Sequence, residues 1–246
     1  MSLNQDIKDT IEMLKATDIN GCITGSCLLD VDFDEWQDHP DIDVFVYSEP
    51  ALVEAIMILE SWGFEPGGKD KTPAGEKLKR RWIMETGVNR KQPLSTIMYT
   101  KDGVDVNLTV KGRCQSVLDV IGTFDMSIVM IGYDIQTDCL CDLRTQNGCD
   151  PNVAEPNKFR RHLYNHPSRF EVQRAMRQWN RVLKYWSRGY DTRPMARFYL
   201  EKIDDVLEAG AIFGTDKDVA SFEEMQPEFR EMKSTIEAWL DEHEED

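Results

Sequence analysis

Long apolar runs are missing from this chain of 246 residues, and its N-terminus is polar. Nothing approaches the roughly 18 apolar residues of a membrane span, and the start lacks the apolar segment of a secretory signal. No membrane partner is expected. Cysteine is scarce and scattered: Cys22, Cys27, Cys114, Cys139, Cys141 and Cys149. That usage excludes a disulfide scaffold and fits reduced thiols in a cytoplasm. Cys139-x-Cys141 with Cys149, or His162 with His166, match no familiar zinc spacing. Positive charge is also short, with 29 Lys and Arg against 45 Asp and Glu and a net charge of −16. Such a balance excludes a protein that coats nucleic acid without specificity.

An excess of positive charge lies in one place. Residues 158–193 carry 10 Lys and Arg against 2 acids, whereas residues 201–246 carry 4 against 16. Hydrophobic content of 41% and charged content of 30% are those of a globular protein with a sizeable core.

The chain is organised around Cys22–Val46. Cys-Ile-Thr-Gly25-Ser26 is a short apolar strand entering a turn, and Asp41-Ile-Asp43-Val-Phe-Val opens a second strand. Alternation puts Asp41 and Asp43 on one face. Paired carboxylates repel unless a cation lies between them, and a hard divalent ion with oxygen ligands suits that place. A Gly-Ser turn leading into a helix start suits phosphate. Together they describe a site for a metal-bound triphosphate; an acidic strand entry after an unrelated turn is the plainer alternative.

Around this stretch, Ile7, Ile11 and Leu14 predict a helix within 4–17, and Ser26–Leu29 predicts a short one. The loop 30–40 is acidic and solvated. Ser48-Glu-Pro50 starts a helix whose core face is Leu52, Val53, Ile56, Leu59 and Trp62, closed by Gly63. Residues 65–79 read as a loop and Arg80–Thr86 as a strand. Ser95–Thr100 and Val104–Val110 flank Lys101-Asp102-Gly103 as a hairpin, with Asp105, Asn107 and Thr109 on one face. From Phe170 to Gly189, Val172, Ala175, Met176, Trp179, Val182, Leu183 and Trp186 form an apolar helix face. Arg174, Arg177, Arg181, Lys184 and Arg188 form a stripe beside it. Two or three further helices follow Asp204.

With its Gly25-Ser26 turn, its spacer and its Asp41-x-Asp43 strand, the chain resembles the nucleotidyltransferase superfamily of DNA polymerase β and the tRNA nucleotidyltransferases. That resemblance implies an α+β fold. A mixed β-sheet with flanking helices would form a catalytic domain over residues 1–150. A helical C-terminal domain over 151–246 would carry the basic helix and the acidic tail. It also implies Asp105 as a third acid beside Asp41 and Asp43; an edge strand with a wet face is the alternative. The run Phe124-Asp125-x-Ser127 to Tyr133-Asp134 is similar to the motif that follows the sheet in tRNA nucleotidyltransferases and bacterial poly(A) polymerases. Its form is closer to phage and viral members. This implies a ribose contact for Asp125, with a helix-capping aspartate as the alternative.

The basic helix is similar to an Arg-rich helix of the same enzymes. By that likeness Arg174, Arg177, Arg181 and Lys184 meet triphosphate or an RNA backbone; pairing with the protein's own acids remains open. The family's Glu-Asp-x-x-Arg base-reading element has no match, since Glu223-Glu224 and Arg230 are wrongly spaced.

The implied mechanism uses two Mg2+ ions (or Mn2+) on Asp41, Asp43 and Asp105, with Gly25 and Ser26 at the β- and γ-phosphates. The implied reaction moves a nucleoside monophosphate from an NTP, ATP or CTP, to an acceptor hydroxyl such as a tRNA-like RNA 3′ end. It would run in the cytoplasm, that of a bacterial host if the chain is phage-borne. The alternatives are a catalytically silent fold that binds nucleotide or a partner protein, or transfer to a protein or small molecule.

Overall fold

The computed structural model describes residues 3–29, 39–67, 93–111, 114–146, 148–157, 169–209 and 216–244. Most of the acidic loop and the strand expected at Arg80–Thr86 lie outside the described residues. The chain divides into two compact units. The first is Met1–Phe124 with Val129–Gly148, and the second is Asp125–Ile128 with Cys149–Asp246.

Among the described residues, a mixed sheet of seven strands dominates the first unit. Its strands are β1 (Gly21–Thr24), β2 (Ile42–Val46), β3 (Glu65–Pro66), β4 (Pro93–Lys101), β5 (Val104–Lys111), β6 (Ile131–Asp134) and β7 (Cys139–Asp142). They lie in the order β3-β4-β5-β2-β1-β6-β7. β2 and β5 run parallel, and the other neighbours are antiparallel.

The expected hairpin is β4–β5. Asp102 (φ 52) and Gly103 (φ 86) are both left-handed, as a two-residue turn matched to strand twist demands. β5 lies between β4 and β2, so it is an interior strand and not an edge. β2 reads buried at Ile42, Val44 and Val46 and half-buried at Asp43 and Phe45, the expected alternation.

Helices α1 (Leu3–Lys15) and α2 (Glu49–Ser61) pack on the sheet, α1 through the buried Ile7, Ile11 and Leu14. Ser48 caps α2 by accepting from Ala51 N at 3.3 Å, and Pro50 fits its first turn. The core face of α2 is Ala51, Leu52, Ala55 and Leu59; Val53, expected inside, is 47% exposed. It sits one position past Leu52, about 100° around the helix from the residues that touch the sheet.

Helix α3 (Val117–Ile121) is capped by Ser116, which accepts from Asp119 N, while Asp119 accepts from the Ser116 hydroxyl and the Gln115 N–H. It packs with Cys22 and Cys114, against the half-buried Phe45, Phe124 and Cys141. Gly132 permits this approach. A Cβ there would stand 2.4 Å from Val117 Cγ2 and 2.9 Å from Ile121 Cγ2, both stiff β-branched atoms. Gly132→Ala is therefore expected to lower stability by about 1–3 kcal/mol through overpacking. A urea midpoint equal to the wild type's would contradict this packing. A short helix α4 (Leu143–Gln146) closes the first unit.

The second unit holds α5 (Arg169–Trp186), α6 (Arg193–Ala209) and α7 (Asp216–His243). Trp179, Val182 and Tyr185 of α5 are buried, as are Tyr199 and Ile203 of α6 and Phe229, Ile236 and Leu240 of α7. Leu183, expected on the apolar face, is 37% exposed. Trp239 takes Trp179 and Trp186 edge-on, at 5.5 and 5.1 Å between ring centroids. The segment before α5 is tied to the start of α6. Ala154 N donates to Asp191 O at 2.8 Å, and Asp191 forks onto the Arg193 guanidinium.

Candidate active site

The site is built where β1 ends beside the start of β2. Antiparallel pairing sets Thr24 opposite Asp43, so the turn after Thr24 passes directly by that carboxylate. Gly25 turns with φ 88° and ψ −155°, a region that side chains rarely enter. A Cβ there would lie 3.4 Å from Asp43 Oδ2. The Gly25 N–H donates to Ile131 O at 3.2 Å, so it is already used inside the protein. Leu28 N and Leu29 N likewise donate to Gly25 O and Ser26 O, so donors for an anion at this turn would come from Ser26 and Cys27. Instead of an α-turn, Ser26–Leu28 forms a 3-10 turn, and Ser26 is half-buried.

On the neighbouring strand β5, parallel pairing puts Asn107 opposite Asp43. The Asn107 amide Nδ2 donates to Asp41 Oδ2 and to Asp43 Oδ1, each at 3.2 Å. Asp41 is exposed and Asp43 half-buried. Asp105 lies two residues before Asn107 on the same face of β5 and is half-buried; it pairs across to Thr100 of β4. Asp41 and Asp105 each stand one residue before the registered pair Ile42–Val106. Among the described residues, no three side chains of His, Cys, Asp and Glu come together as a metal-holding group.

The first unit thus brings together Gly25, Ser26, Asp41 and Asp43, with Asp105 close in register. It adds Asn107, which the sequence reading placed on the right face but gave no role. Strand alternation could have flagged it; the parallel register that points it at Asp43 is a tertiary fact.

Asp125 and Arg181 belong to the second unit. They meet each other, with Arg181 Nη1 donating to Asp125 Oδ1 at 2.6 Å. The Asp125 side chain is 6% exposed and that of Arg181 37%. Arg181 therefore takes an intramolecular partner, one of the alternatives left open by the sequence, and Asp125 accepts that ion pair. Asp125 Oδ2 is buried without a hydrogen-bond partner among the described residues. Arg188 is buried, its guanidinium 5.6 Å from the Tyr185 ring centre. Lys184 is half-buried on α5; the side chains of Arg174 and Arg177 lie outside the described residues, as do His162 and His166.

All six cysteines are reduced thiols. Burial pushes the Cys22 thiol up from 9.0 to about 12, with the neighbouring Asp134 adding to the rise against a lowering hydrogen bond from Tyr47. Cys27, buried beside Asp43, is also raised, first by burial and then by the Asp43 charge. Neither thiol is a nucleophile at neutral pH. A thiol whose folded pKa lies above its unfolded value gives its full stabilisation below the unfolded value. That stabilisation is lost as the unfolded chain ionises and pH rises toward the folded value. Stability is therefore expected to fall from pH 9 toward about 12, with Cys22→Val removing part of the slope. Urea midpoints across that range test it, and an identical slope in the variant would count against it.

No protein-family model matches the chain, and no curated protein does. Among solved structures, it is similar to a Thermotoga maritima CCA-adding enzyme complexed with tRNA, at a TM-score of 0.49 and 12% identity. The match covers 94% of this chain and 52% of the other, so the chain spans about half the length of that protein.

Proposed function

We propose that the protein is an NTP-dependent nucleotidyltransferase whose reaction centre is the pair Asp41 and Asp43. One observation carries this reading. Two carboxylates on adjacent same-face positions converge on one point, and a Cβ on Gly25 would lie 3.4 Å from Oδ2 of the second of them. The donor set is all oxygen and doubly anionic, which fits Mg2+ or Mn2+ and not a soft metal.

Asp41 and Asp43 would hold the ion. Bound there, it would supply Lewis-acid polarisation of the phosphoryl oxygens and a lowered pKa for the acceptor hydroxyl. A second ion would need a further oxygen ligand, and Asp105 is the candidate on the same strand face as Asn107. Beside them the chain's own contribution is placement. The open turn at Gly25–Ser26 lets the β- and γ-phosphates approach the backbone, and the pairing of β1 with β2 holds Asp43 beside it.

For the acceptor, the cation excess on α5 favours an RNA 3′ end, with Arg174, Arg177 and Lys184 as phosphate contacts and ATP or CTP as donor. Arg181 reaches Asp125 through Nη1, so a phosphate contact from it would use its other guanidinium nitrogens. With an NTP as donor, the cytoplasm is the compartment proposed. A second reading, a nucleotide-binding fold without chemistry, is favoured by the amide that stands opposite Asp43 where an acid would strengthen a metal site.

Label transfer separates these readings. The protein is incubated with each α-labelled NTP, magnesium and total RNA, with the Asp41→Ala/Asp43→Ala double variant as control. Label on RNA that vanishes in the control supports the RNA acceptor. Label on protein or on a small molecule keeps the chemistry and replaces the acceptor. NTP retention with no label in any fraction favours the silent fold.

A further inference from the structure

We propose that Asn107 is an internal stand-in for the cation, a positioning residue whose amide holds Asp41 and Asp43 convergent when no ion is bound. A primary amide nitrogen carries two N–H donors. Here the one nitrogen reaches both carboxylates, Asp41 Oδ2 and Asp43 Oδ1, at 3.2 Å each. The opposite amide orientation would aim a third acceptor at two carboxylates, so the chemistry fixes which way the group faces.

The donor is held from both sides. Asn107 pairs with Asp43 on β2 and with Met98 on β4, in the interior of the sheet. Carboxylates placed together on one strand face repel, and without a counter-group Asp41, outside the strand and exposed, would swing away. A carboxylate at position 107 would raise the affinity for a free ion, but the empty site would then hold one more like charge. The neutral amide keeps the site assembled while empty, ready for an ion that arrives already bound to its triphosphate. This purpose rests on the nucleotidyltransferase reading; the clamp itself does not.

The test is Asn107→Asp, an isosteric change that removes the donors and adds a charge. Thermal midpoints are measured on chelator-treated protein with and without Mn2+, no nucleotide present, and Mn2+ affinity is read by electron paramagnetic resonance. The expected results are a metal-free midpoint below the wild type's, a larger rise on adding Mn2+, and Mn2+ binding tighter by about tenfold. Adding Asp41→Asn to this variant is expected to restore the metal-free midpoint, because an amide again stands among the carboxylates.

An unchanged metal-free midpoint with an unchanged Mn2+ response overturns the clamp. If the wild type responds to Mn2+ and Asn107→Asp behaves identically, the clamp falls and the nucleotidyltransferase reading stands. If the wild type ignores Mn2+ both alone and together with an NTP, while Asn107→Asp loses stability that Asp41→Asn returns, the clamp stands and the reading falls. Should Asn107→Asp fail to fold, Asn107→Ala is used. Its lower midpoint should be relieved by Asp41→Asn, and no coupling between the two sites would overturn the proposal.

Discussion

Asp43→Asn is expected to fold as the wild type does and to lose nucleotidyl transfer by about a thousandfold or more. The change is isosteric, on a half-buried position of an interior strand, and it leaves the pairing of Asp43 with Thr24 and Asn107 untouched. An amide at position 43 can present its own oxygen to the Asn107 N–H, so the clamp survives. What disappears is one of the two charges on the cation, and in phosphoryl transfer electrostatics and placement carry most of the rate. Turnover near the wild-type level would remove Asp43 from the reaction centre. Asp105→Asn, compared in the same assay, shows whether a third acid contributes: a loss of the same size makes it a ligand, and a small loss leaves it on the rim.

The second large effect is structural. Arg181→Met should destabilise the second unit by about 3 kcal/mol, because it leaves the Asp125 carboxylate buried without its counter-charge. Solvent reaches more than a third of the Arg181 side chain, which puts the figure at the low end of the range for a buried pair. The double variant Arg181→Met/Asp125→Leu should recover most of that loss, since a pair replaced by apolar groups of similar size is often neutral. Denaturant unfolding of the wild type, Arg181→Met, Asp125→Leu and the double variant gives the coupling directly. An Arg181→Met protein as stable as the wild type would mean that the ion pair does not hold Asp125.

Local signals made much of the first unit legible. The capped start of α2, the Asp102-Gly103 turn and the alternation through Ile42–Val46 each depend on neighbours in sequence, and each appears where expected. Val53 was misplaced because two apolar residues in a row, Leu52 and Val53, leave the phase of a helix face undecided. Partners across long distances were not legible. Nothing in the sequence says that β2 pairs with β5 in parallel, and only that register brings Asn107 to Asp43.

The basic stripe shows the same limit from the other side. Its spacing predicted a helix correctly, but which anion each cation meets is decided by the fold, and Arg181 meets Asp125. The Gly25 N–H is a third instance: the Gly-Ser turn promised donors to a phosphate, and pairing with Ile131 takes the first of them.

The most direct test of the central claim is pyrophosphate release. The wild type and Asp41→Ala/Asp43→Ala are compared with each NTP, magnesium and total RNA, and the pyrophosphate formed is measured over time. Release by the wild type that is lost in the double variant and in the presence of a chelator is the predicted result. No release from any NTP, by a protein that still binds nucleotide, would contradict catalysis at this site.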